Sequence, residues 1–187
     1  MDDKVITIAD LKPGMIGLAG GYEWIQNAIK WFTKSDWSHS FTLMMHAGNL
    51  SVLETTVKYV HCITIEEKMK DDDYIAVWEP VCDPQQMNDA SDRLYMKYID
   101  MLYGYESYFW FMYRGLIRLF GKDTTKMWRI VHNRITCTEL TTEGLHDTND
   151  LKDLFPNDLN TYAPEELFGV IQANPTRFKW VGWLRKK

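Results

Sequence analysis

The sequence predicts an α+β domain, and three observations point there. Short runs rich in β-branched, aromatic and Met residues fill the first half of the chain, helical periodicity dominates after Pro84, and the two patterns do not alternate as in a parallel α/β sheet. No repeat, low-complexity tract or Pro/Gly/Ser-rich linker divides the chain, so residues 1–187 read as one domain, with a helical insertion around 84–132. Hydrophobic residues make up 45% and charged residues 25%, the balance of a folded chain with a buried core.

The elements follow in order. Met15 to Leu18, after the turn-forming pair Pro13-Gly14, reads as a short buried strand. Glu23 to Phe32 sets Ile25, Ala28, Ile29 and Phe32 at helical spacing. His39 to Met45, Val52 to Val60 and Tyr74 to Trp78 read as strands, and Asp71-Asp72-Asp73 as a turn or solvated edge before the last of them. Met87 to Tyr103 is helical, with Leu94, Tyr98, Met101 and Leu102 on its apolar side. A second helix runs from Tyr105 to Phe120; Ser107, Arg114 and Arg118 fall on one narrow line, and the rest is mainly aromatic or aliphatic. Such a helix is buried in the core or faces an apolar ligand or a bilayer surface. A third helix begins at Cys137 and a fourth at Pro164, where proline suits the first turn. Arg177 to Leu184 closes the chain as a strand.

Charge and composition exclude several functions. With 21 Lys+Arg against 26 Asp+Glu the net charge is −5, and the basic footprint of a nucleic-acid partner is missing. The pI is near 5.5 and the mean hydropathy −0.34. No run reaches the roughly 18 apolar residues of a membrane span. The nearest, Tyr105 to Phe120, is broken by Glu106, Arg114 and Arg118, which leaves peripheral membrane contact open. The opening residues lack a basic start followed by an apolar stretch, so a cytoplasmic location is expected, in a bacterium or, for a phage-encoded protein, in its host. Cys62, Cys82 and Cys137 are odd in number and widely spaced, which argues against a disulfide framework and leaves room for a reactive thiol.

Cys137 has the most informative neighbourhood. Thr136-Cys137-Thr138-Glu139 fits a capping box, with Thr136 as N-cap and Cys137 at the first helical position. There the sulfur lies near unpaired N–H groups and the positive end of the helix dipole, which favour thiolate and can serve as an oxyanion hole. Cys62 and Cys82 read as buried apolar fillers. Among five histidines His39 stands out, because Trp37-Ser38-His39-Ser40 enters an apolar strand, where an imidazole is held firmly yet can face a cleft. Glu54, an acid in a poorly charged strand, is the carboxylate suited to fix its tautomer. His132 and His146 read as exposed helix residues, and His46 and His61 as ordinary polar strand positions. His39, His46, Glu54, His61 and Cys62 are also the atoms a metal would use, but none of their spacings matches a ligand motif. Gly20-Gly21 is not GxGxxG and lacks a P-loop lysine. Neither metal nor organic cofactor is expected.

Taken in order, the segments resemble the permuted papain-like NlpC/P60 superfamily, in particular the YiiX/YaeF-like cysteine peptidases and amidases. The matching elements are Leu11-Lys-Pro-Gly-Met-Ile (with Met15 where the family has Asp), Trp37-Ser38-His39, Val52-Leu53-Glu54, Tyr103-Gly104-Tyr105, Cys137-Thr138-Glu139-Leu140 and Pro164-Glu165-Glu166-Leu167. They span Leu11 to Phe168, and the His strand precedes the Cys helix, the reverse of papain. The resemblance implies a small antiparallel sheet or barrel packed against helices. It implies Cys137 as nucleophile, His39 as base and Glu54 as the residue orienting it. It also implies Tyr103 near the oxyanion site with Tyr105 as substitute, and Trp37 at the substrate. The expected activity is cysteine-dependent cleavage of an amide or ester in a peptide or an acyl, lipid-like substrate. The alternatives are a lipid-directed thiol acyltransferase and a non-catalytic lipid- or peptide-binding module on the same fold. The helix from Tyr105 to Phe120 is then expected to wall the cleft beside Cys137.

Overall fold

The computed structural model describes residues 2–20, 36–56, 58–72, 74–102, 134–155 and 162–186, with the single positions 113, 117 and 120. The expected helix Glu23 to Phe32 lies outside these residues, as does nearly all of that from Tyr105 to Phe120.

Among the described residues seven strands pair into one sheet: β1 (Val5–Ile6), β2 (Ile16–Ala19), β3 (His39–His46), β4 (Asn49–Thr55), β5 (Val60–Thr64), β6 (Tyr74–Pro80) and β7 (Phe178–Arg185). Their order is β1-β7-β6-β2-β3-β4-β5. The pairs are antiparallel except β1 with β7, which run parallel. Four α-helices lie among the described residues: α1 (Ile65–Asp71), α2 (Pro84–Tyr98), α3 (Cys137–His146) and α4 (Pro164–Ala173). A mixed sheet packed against helices agrees with the α+β expectation. The sheet is larger than the small one expected, because the last strand inserts between β1 and β6, a pairing between chain ends that no local pattern announces.

The hairpin β3–β4 turns on Ala47 and Gly48, both at positive φ (49° and 81°), the left-handed pair that suits the twist of a two-residue turn. The expected strand Val52 to Val60 is in fact two strands. The chain reverses between the end of β4 at Thr55 and the start of β5 at Val60, where Thr56 N–H donates to the Tyr59 carbonyl at 3.2 Å. β-Branched and aromatic residues without Gly or Pro read locally as one strand; the reversal is set by the β4–β5 pairing that places Glu54 opposite His61.

Side-chain alternation sends neighbouring strand residues to opposite faces. Phe41 and Leu43 of β3 and Val52 of β4 join a cluster with Ile65 of α1, whereas Met44 and Leu53 join Leu94 of α2 and Leu140 of α3. Ile16, Leu18, Trp37 and Trp78 extend that second layer to Leu145 of α3 and to Leu167 and Ile171 of α4. The sheet thus carries α1 on one face and α2, α3 and α4 on the other. Gly17 is required at the crossing of β2 and β3: a Cβ there would stand 2.2 Å from the Phe41 ring. Asp71-Asp72-Asp73 is not simply a solvated edge, since Asp71 ends α1 and Asp72 is buried. No helix among the described residues is long and apolar enough to cross a membrane.

Candidate active site

The capping box at the start of α3 forms as its four residues dictate. The Thr136 hydroxyl accepts from Glu139 N–H at 3.2 Å, and the Glu139 carboxylate accepts from Thr136 N–H at 3.3 Å. Cys137 therefore opens the helix, where backbone N–H groups lack intrahelical partners. The first turn is pinned to the sheet: the Thr141 hydroxyl lies 3.0 Å from the Cys137 carbonyl and 3.2 Å from the Ser40 hydroxyl.

His39 is the first residue of β3, and its ring is only partly buried. A residue at the end of a strand can meet both layers. On the α1 side its Nε2 lies 2.5 Å from Glu54 Oε2. On the α3 side the ring lies near enough to Cys137 for each group to shift the other's protonation. With Nε2 engaged by Glu54, Nδ1 is the nitrogen left to serve the sulfur.

Burial pushes the Cys137 thiol upward, but the His39 charge and hydrogen bond, the Ser40 N–H and the Thr138 hydroxyl outweigh it and hold the thiol below its ordinary range. Burial and the Lys68 charge depress His39, while Cys137 and Glu54 raise it, and the net result is about 9 against an ordinary 6.5. The lowered thiol and the raised imidazole both favour the thiolate–imidazolium form of the pair.

Glu54 is only 2% exposed, and both of its oxygens are engaged. Oε2 takes His39 and the Lys68 ammonium (2.6 Å), and Oε1 takes His61 Nε2 at 3.1 Å. Burial raises this carboxyl, but His39 and Lys68 hold it well below the carboxylate range. Among the described residues no group of three His, Cys, Asp or Glu side chains is arranged to hold a metal ion.

The structure thus brings Cys137, His39 and Glu54 together. Tyr103 and Tyr105 lie outside the described residues, as does His132. Trp37 is 3% exposed and stacks on Trp183 (centroids 5.9 Å apart), with Phe168 and Trp78 around it. Its place is the aromatic core, not an open substrate wall, because the adjoining strands and α4 surround it with rings. His61, read as an ordinary strand residue, instead donates to Glu54. His46 packs against Tyr95, and His146 is half-buried. Cys62 and Cys82 are half-buried rather than buried, and burial still pushes both thiols up, Cys82 to about 11. Lys68 has no part in the sequence expectations, and Asp72 enters them only within a turn or solvated edge. The one local signal for them was their spacing of four residues on a helix, which fits an ion pair.

No family model matches the chain, and no curated protein matches it in sequence. In structure it is similar to the metalloprotein YiiX of Escherichia coli O157:H7 (DUF1105), at 14% identity and a TM-score of 0.55, over 95% of this chain and 98% of that one. The likeness is one of fold: a seven-stranded mixed sheet and its helices in a YiiX-like arrangement.

Proposed function

We propose that the chain is a cysteine hydrolase of the permuted papain-like type, a peptidase or amidase that cleaves an amide or ester through an acyl-enzyme. The observation that carries this reading is Cys137 at the N-terminus of α3, beside a His39 whose Nε2 is held by Glu54, with the thiol lowered by that neighbour. The chain order, His39 strand before Cys137 helix, supports the permuted assignment, and so does the YiiX-like fold.

The Cys137 thiolate attacks the carbonyl carbon, forming a C–S bond and a tetrahedral oxyanion, which the free N–H groups at the start of α3 are placed to receive. His39 then gives its proton to the leaving amine or alkoxide as that bond breaks. In the second half His39 takes a proton from water, the hydroxide attacks the thioester, and the acid product leaves with Cys137 again a thiolate. Glu54 keeps the ring's tautomer and stabilises its charged form. Tyr103 and Tyr105 are proposed to line the substrate side.

YiiX is described as a metalloprotein, but the residues here do not fit a resident ion. The Lys68 ammonium already occupies the Glu54 oxygen shared with His39. No step runs through a metal.

The test is labelling by iodoacetamide at neutral pH with mapping by mass spectrometry. Cys137 is expected to label first of the three thiols, with labelling at that site lost in Cys137→Ala and slowed in His39→Ala. Equal labelling of all three, or labelling of Cys137 only after denaturation, defeats the proposal.

A further inference from the structure

Two carboxylates and one lysine are buried together beside the proposed catalytic pair, and the reaction as written uses only one of them. Lys68 is 6% exposed, Asp72 3% and Glu54 2%. Lys68 Nζ lies 2.6 Å from Glu54 Oε2 and 3.0 Å from Asp72 Oδ2, with the Phe41 ring centroid 5.4 Å away. The Asp72 oxygen is buried with this ammonium as its counter-charge and has no aligned hydrogen bond. Stability does not demand such a cluster, because apolar residues of the same volume serve a core as well or better. The cluster is nonetheless held in register. The short helix α1 is capped by Thr64, whose hydroxyl accepts from Glu67 N–H at 3.2 Å while Glu67 reaches back to Thr64 N–H at 3.1 Å. That cap orients the turn that carries Lys68.

The informative atom is Glu54 Oε2. It takes Lys68 and His39 at once, while Oε1 is left to His61. We propose that Lys68 is a positioning residue for the Cys137–His39 pair, acting through the Glu54 oxygen it shares with His39. This rests on the thiol-hydrolase reading above. The ammonium fixes the carboxylate beneath the ring and limits how tightly that carboxylate retains the ring's proton. A base that must release its proton to a leaving group in one half of the cycle and recover one in the other works best when it is not locked in the charged form. Glu54 alone, buried against His39, would hold the imidazolium too firmly; Lys68 takes part of its charge, and Asp72 balances Lys68. The charged or titratable groups around Lys68 are Glu54 of β4, Asp72 at the end of α1, His39 of β3 and, across Glu54, His61 of β5.

Two substitutions move His39 in opposite directions. Lys68→Met keeps the length of the stem and removes the charge, so the His39 midpoint rises above about 9, by roughly one unit for a charge at this separation. Asp72→Asn leaves Lys68 uncompensated, so the midpoint falls. The readout is the ring-proton chemical shift of His39 against pH in the full-length protein, beside the pH profile of Cys137 alkylation by iodoacetamide. An upward shift in Lys68→Met with a downward shift in Asp72→Asn supports the proposal. A midpoint unmoved in both variants, or one moving down in Lys68→Met, overturns it and leaves Lys68 a purely structural ion. Should Lys68→Met not fold, the Asp72→Asn arm decides alone: a fall supports, no shift overturns. Failure of the hydrolase reading looks different, because Cys137 of the unaltered protein would then not label preferentially while the His39 titrations still report on Lys68.

Discussion

The two faces of the sheet bury their residues by different physics. On the β2, β6 and β7 side, Trp37, Trp78, Trp183 and Phe168 interlock edge to face and stacked, with Leu167 and Ile171 of α4 beneath them. Ring-on-ring and aliphatic contacts dominate there, with Trp183 Nε1 also donating to the Asp2 carbonyl at 3.2 Å, and burial supplies most of the stabilisation. On the β3, β4 and β5 side, under α1, the sheet buries Glu54, Lys68 and Asp72 and half-buries His39 and His61. Each of those charges depends on its partners to offset desolvation. The difference teaches where stability ends and chemistry begins: the aromatic face is tolerant of charge state and pH, while the charged face is tied to both.

Single truncations break the comparison most strongly. Trp37→Ala is expected to cost about 3–5 kcal/mol in urea unfolding, while Cys137 labelling per folded molecule stays as it was. Glu54→Ala is expected to cost a similar ~3–5 kcal/mol, because the buried Lys68 ammonium loses its partner, and here Cys137 labelling slows as well. The pair Glu54→Gln with Lys68→Met should recover much of that stability without recovering labelling. Recovery of both would remove the functional distinction between the faces.

The dependence on pH is the next largest effect, and it should appear at the His39–Glu54 cluster and not at the rings around Trp37. His39 is raised from 6.5 to about 9, so its contribution to stability is present in full below pH 6.5 and is lost as the pH rises through about 9. Glu54 is lowered from 4.5, so its contribution is present above pH 4.5 and is lost as the pH falls through its depressed value. The stability gap between the unaltered protein and His39→Asn is therefore expected to shrink between pH 6.5 and 10, whereas the gap to Trp37→Ala stays level. Denaturant midpoints across that range measure both.

Smaller effects sharpen the boundary between the faces. Gly17→Ala drives a methyl into the Phe41 ring, which lies 5.4 Å from the Lys68 ammonium, and is expected to cost about 1–3 kcal/mol by overpacking. Thr136→Ala removes the cap of α3, at about 1 kcal/mol in thermal unfolding, and slows Cys137 labelling at neutral pH by loosening the helix start. A normal labelling rate in a destabilised Thr136→Ala protein would separate the cap from the chemistry.

Part of the site can be read directly from the chain. Thr136 to Glu139 encode the cap within four residues, so the start of α3 and the setting of Cys137 need no distant partner. Glu54 and His39 sit in strands recognisable by composition, and those two strands are neighbours in the sheet. His61 was missed for a specific reason: residues 52 to 60 carry no local breaker, and only the antiparallel pairing of β4 with β5 sets His61 opposite Glu54. Trp37 was misassigned because an aromatic beside a histidine reads the same whether it faces a cleft or other rings.

By itself the sequence determined what is local: the character of most strands and helices, the α3 cap and the candidate thiol, base and acid. Tertiary structure decided the insertion of β7 between β1 and β6, the enclosure of Trp37, and the convergence of Lys68, Asp72 and His61 around Glu54. The reason is range. Caps and turns draw their free energy from groups within a few residues, whereas the burial of a charge depends on which distant counter-charge the packed chain brings to it.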